Sequence, residues 1–114
     1  MEMKRMLQTP PAVVERFIKA ADNRDFDAIA ACFTDDATVE DENRTHRGRR
    51  QIRAWQQEGR SRWDYTIVVI GGEPAGISEY RVMAHLSGNF PGGEADVAYR
   101  FSLREGLISH LRIN

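Results

Sequence analysis

Residues 33–46, FTDDATVEDENRTH, turn the chain from helical to extended patterning and carry five acidic residues in fourteen positions. In a strand over residues 37–41 the side chains alternate, so Ala37, Val39 and Asp41 share one face while Thr38 and Glu40 share the other. The apolar face is expected to be the buried one, and Asp41 ends it with a carboxylate aimed inward. An unpaired charge in an interior is strongly disfavoured. Asp41 therefore needs a structural partner or a use.

Upstream of this strand the pattern is helical. Thr9 suits an N-cap, Pro10 suits the first helical position, and Val13, Val14, Phe17, Ile18 and Ala21 recur at helical spacing, which predicts a helix over residues 10–21. Asp25 is placed to cap a second, short helix in which Phe26, Ile29, Ala30 and Phe33 form the apolar face. Downstream, RRQIRAWQQEG reads as a third helix with Ile52 and Trp55 inward and Gly59 as its stop. The second half changes period: RWDYTIVVIGG, EYRVMAHLSG, EADVAYRFSL and LISHLRIN are β-branched and aromatic segments separated by turn residues, and predict four antiparallel strands. Helices first and long strands after predict an α+β fold with the helices on one face of the sheet.

The chain has 114 residues, a 41% hydrophobic and 29% charged composition and a formal net charge of −1, which fits one globular domain and gives no global attraction to nucleic acid or an anionic membrane. No apolar run reaches the roughly 18 residues needed to span a bilayer and the N-terminus lacks a signal-like segment, so a cytoplasmic location is expected. Arginine far outnumbers lysine, as in proteins of GC-rich bacteria. Cys32 is the only cysteine, which rules out an internal disulfide and a cysteine-cluster zinc site.

The segment AVVERFIKAADNRDFDAIAACFTDDATVED is similar to the opening of ketosteroid isomerases and SnoaL-like polyketide cyclases, members of the nuclear-transport-factor-2-like superfamily. YRVMAHLSGNFPGGEADVAYRFSLREGLISHLRI resembles SnoaL-like proteins with a G-[DN]-F-P-G loop, a Y-R-F strand and a final G-x-I-x-x-L-x-I strand. The resemblance covers nearly the whole chain. It implies one SnoaL-like domain over residues 1–114, with residues 1–8 a flexible leading segment. The fold it implies is a cone-shaped, cystatin-like curved antiparallel sheet, with the three helices of the N-terminal half over its concave face. It also implies a cavity for a small apolar molecule and a homodimer through the exposed sheet face. The aspartate closing the ATVED motif is the isomerases' general base, and here it is Asp41. Alignment puts Phe17 and Val97 at the positions of the isomerases' two oxyanion donors, so steroid isomerisation is not expected.

The candidate catalytic residues are Asp41, as general base, and His110, which alignment places facing the cavity. The resemblance and the aromatic content name Phe17, Trp55, Trp63, Val82, Val97, Tyr99 and Phe101 as pocket residues; the aromatic ones are equally suited to core packing. His46 falls in a loop and His85 at a subunit contact. Three histidines on separate segments do not form a metal constellation, and neither metal nor cofactor is expected. GNFPGG precedes no helix and is a strand connection rather than a phosphate loop. Arg44, Arg47, Arg49, Arg50 and Arg53 read as a solvated face that offsets neighbouring acids, or as an anion-attracting pocket mouth. Two functions remain: an isomerase, cyclase or hydrolase that uses Asp41 on a small apolar carbonyl compound or epoxide, or a non-catalytic ligand-binding or interaction module.

Overall fold

The structure, a computed structural model, describes residues 10–114. The elements run α1 (Ala12–Asp22), α2 (Phe26–Ala31), β1 (Phe33–Asp41), β2 (Arg44–Arg47), α3 (Gly48–Arg62), β3 (Tyr65–Gly76), β4 (Glu79–Gly88), β5 (Glu94–Arg104) and β6 (Leu107–Ile113). The expected caps at Thr9 and flexibility of residues 1–8 lie outside the described residues. Pro10 is not the first helical residue. The chain enters α1 at Ala12, with extended Pro11 as its N-cap and the Pro11 carbonyl accepting from Val14 N at 3.0 Å. Asp25 caps α2 through its side chain, accepting from Ala28 N at 3.2 Å.

The six strands form one sheet in the order β2-β1-β6-β5-β4-β3. Four neighbouring pairs are hairpins and run antiparallel, but β1 and β6 pair in parallel, so the sheet is mixed. The reason is connectivity: hairpin-linked strands must reverse, whereas β1 and β6 share no turn and can run alike. Irregularities at Val69/Gly71 and Pro74/Gly76 bend β3, and a further one at Ser102/Leu103 bends the β5–β6 pair. The helices cover one face of this curved sheet. Gly88 of β4 pairs with Tyr65 of β3, and a Cβ there would collide with the Asp64 carbonyl oxygen and with Tyr65.

The core lies between the helices and the inner sheet face. Phe17 of α1 is fully buried and meets Phe33, Tyr99 and Phe101 edge-on at centroid distances of 5.7, 6.2 and 5.6 Å. Burial of such a side chain contributes about 1.5–3 kcal/mol. α3 does not stop at Gly59 but continues to Arg62. Arg60, at 7% exposure, explains the extension: it donates to the Tyr65 carbonyl at 2.6 Å and the Ala21 carbonyl at 2.8 Å, and lies over the Tyr65 ring. The last turn of α3 is thereby fastened to both α1 and β3.

Candidate functional site

A cavity of about 1170 Å³ opens between the β1–β2 hairpin, α3 and the inner face of β3–β6. Its apolar wall comes from Trp55 and Trp63 of α3 and its end, Ile67 of β3, Leu86 of β4, and Val97 and Tyr99 of β5, with Phe90 and Pro91 of the 89–93 connection at the rim. Asp41 lines it from the end of β1. Strand alternation turns this residue inward as it does Ala37 and Val39, both of which are fully buried.

Trp55 Nε1 donates to Asp41 Oδ2 at 3.1 Å, and the Glu42 backbone N–H also favours the charged carboxylate. Burial pushes the Asp41 pKa above the ordinary carboxylate value, against the lowering effect of these hydrogen bonds, and the nearby Glu42 charge adds to the rise. Two phenols feel the same carboxylate. Burial, above all, raises Tyr65 and Tyr99, and the Asp41 charge raises both further. Both are therefore protonated and able to donate hydrogen bonds at neutral pH. Gln56 adds a buried amide to the wall.

His110 does not join Asp41. Ile108 and Leu111 are both fully buried, three residues apart, because the β5–β6 register slips past Ser109 between Ser102 and Leu103. That slip turns His110 to the outer face, where its Nδ1 lies 2.6 Å from Thr38 Oγ1 and its Nε2 lies 3.0 Å from Glu40. Phe17 and Phe101 do not line the cavity either; they are packed at 0% exposure in the core. Val82 lines a separate groove of about 240 Å³ between α1 and β3. Trp55, Trp63, Val97 and Tyr99 line the cavity with Asp41.

The histidine beside Asp41 is His46. It lies on β2 rather than in a loop, paired with Val39 across the hairpin. Its ring stacks on Trp55 with centroids 5.8 Å apart. Gln56 and Arg60 continue the Ile52 stripe of α3 at four-residue steps, and polar groups on a buried stripe are the sequence signal that points to them. Of the arginine run, Arg49 and Arg53 pair with Asp35 and Asp27, while Arg44 lines the cavity. Cys32 is buried, its thiol pushed up by desolvation and donating to the Ala28 carbonyl at 3.3 Å. Among the described residues no group of three or more histidine, cysteine or acidic side chains could hold a metal ion, and no helix is long and apolar enough to cross a membrane.

Among solved structures, a proposed polyketide cyclase from Sinorhizobium meliloti is 30% identical, with a TM-score of 0.88 over 92% of this chain and 95% of that one. A Mycobacterium tuberculosis protein, RV0760c, in complex with estradiol-17beta-hemisuccinate is 16% identical, with a TM-score of 0.77 over 93% of each chain. An LEH-like epoxide hydrolase of M. tuberculosis is 21% identical, with a TM-score of 0.75 over 90% of this chain and 79% of that one. The last two share the fold. No curated protein matches the chain. Residues 14–111 match the family profile of the SnoaL-like domain, and the chain belongs to that family.

Proposed function

We propose that this protein catalyses proton transfer on a small, largely apolar carbonyl compound, with Asp41 as the base that removes a proton from the carbon beside the carbonyl. The observation that carries the reading is the state of Asp41. It is a partly desolvated carboxylate that accepts from the Trp55 indole, set in an aromatic-walled cavity. A carboxylate base whose pKa is raised by burial suits abstraction of a weakly acidic proton. The polyketide-cyclase name of one relative and the steroid hemisuccinate held by another agree with such a cavity. Hydrogen–deuterium exchange of 2-tetralone and related ketones, followed by proton NMR in deuterium oxide, tests it. Wild type should accelerate exchange, and Asp41→Asn should lose at least about 100-fold. Equal rates with and without protein across the ketones would contradict the reading.

A non-catalytic ligand-binding role is the second reading, favoured by the absence of a donor at Phe17 and Val97; it predicts ketone binding without exchange. We also propose a homodimer through the outer sheet face. Val68 and Ile70 of β3 are 54% and 42% exposed there, a pair of large apolar side chains that a second copy would cover.

A further inference from the structure

We propose that His46 is the acid that works with Asp41: its imidazolium gives a proton to the substrate's oxygen as Asp41 takes one from carbon. This rests on the reading of Asp41 as the base. A shared side chain joins the two groups. Trp55 donates through its indole N–H to Asp41 at 3.1 Å and carries the His46 ring against its face, with 30° between the planes. Both residues line the cavity.

The three histidines differ in what holds them. Both nitrogens of His85 are taken, by Asp96 at 2.6 Å and Glu94 at 2.8 Å, and both of His110 by Thr38 and Glu40. No hydrogen bond or ion pair to a described residue holds His46, so its nitrogens are available to a ligand. The charged side chains that line the cavity from the elements packed around it are Glu40, Asp41, Glu42, Arg44, Glu58, Arg62 and Arg112; Arg62 is engaged by Glu58 at 3.5 Å and Arg112 by Glu40 at 4.0 Å. Histidine as a residue type titrates across neutral pH and can release a proton there. Tyr65 and Tyr99, raised by burial, donate hydrogen bonds but retain their protons.

In the step, the C–H bond beside the carbonyl breaks and its electron pair becomes a carbon–carbon double bond, while the proton goes to the Asp41 carboxylate. The carbonyl π pair takes the His46 proton. The products are an enol, a carboxylic acid and a neutral imidazole. Return of the carbon proton from Asp41, to the same or a conjugated carbon, with His46 recovering the enol proton, restores both groups.

The test is the pH profile of 2-tetralone exchange in wild type, His46→Phe and His46→Gln, with each variant's melting checked. Phenylalanine keeps a ring against Trp55, and glutamine keeps a hydrogen-bond donor that cannot release a proton. Wild type should give a bell-shaped profile that rises as Asp41 ionises and falls on the alkaline side. Both variants should lose the alkaline fall and drop about 100-fold. An unchanged profile in either folded variant overturns the assignment while leaving Asp41 in place; undiminished exchange in Asp41→Asn overturns the base reading instead. A readout without turnover completes it: on adding 2-tetralone to Asp41→Asn, the His46 ring NMR signals should move, and signals that stay fixed at ketone saturation also overturn the assignment.

Discussion

The charge of Asp41 is favoured by the Trp55 indole N–H, the His46 ring and the Glu42 backbone N–H, but burial outweighs them and favours the neutral acid. Its folded-state pKa is raised above the unfolded value of about 3.9, so the folded protein binds that proton more tightly. The stabilisation is fully present below the unfolded value and is lost as pH rises through the folded one. Asp41→Asn keeps an oxygen for Trp55 and removes the charge. It should therefore melt above wild type at neutral pH, with the difference shrinking as pH falls toward about 4. Thermal melts over that range check it, and a mutant that melts several degrees below wild type at neutral pH would mark Asp41 as a structural ion-pair member. The inward aim of this residue was legible because β1 alternates strictly over Ala37 to Asp41. Its neighbour His46 was not, for a reason that lies in a turn.

That turn, Glu42–Asn43, has positive φ at both positions, 52° and 63°, the mirror-image geometry that lets two residues close a hairpin. Asparagine signals such a turn, but glutamate rarely adopts it, and RTHR after it reads as solvated charge rather than as a four-residue edge strand. The misplacement of His110 has a matching cause: one residue of slip at Ser109 reverses parity, and no residue type there announces it. On α3, Gly59 signals an end that tertiary contacts override. Arg60→Met removes the fork that ties α3 to Ala21 and Tyr65 and leaves two carbonyls poorly served, which should cost about 2–3 kcal/mol in denaturant unfolding. Arg60→Lys should recover little, because one ammonium cannot reproduce the planar fork. Full stability in either variant would show that the helix end is held by packing alone.

The α+β class and the order of helices before strands followed from periodicity, because helix and strand place apolar residues at different intervals. The parallel β1–β6 contact and the cavity did not, since both depend on how distant segments meet. The outer sheet face is a prediction at the same scale: sedimentation at micromolar concentration should give twice the 13.0 kDa chain mass, and substituting both Val68 and Ile70 by lysine should shift it toward the single chain. A wild type that sediments only as a single chain would remove the dimer. The assembled fold sets the Asp41 carboxylate, half-buried, against the aromatic wall of the cavity. The most direct test is a carbon-13 NMR titration of the Asp41 side-chain carboxyl, assigned by its loss in Asp41→Asn. A midpoint above the ordinary value of about 3.9 is the result this account requires, and a midpoint at or below it would contradict a desolvated base in the cavity.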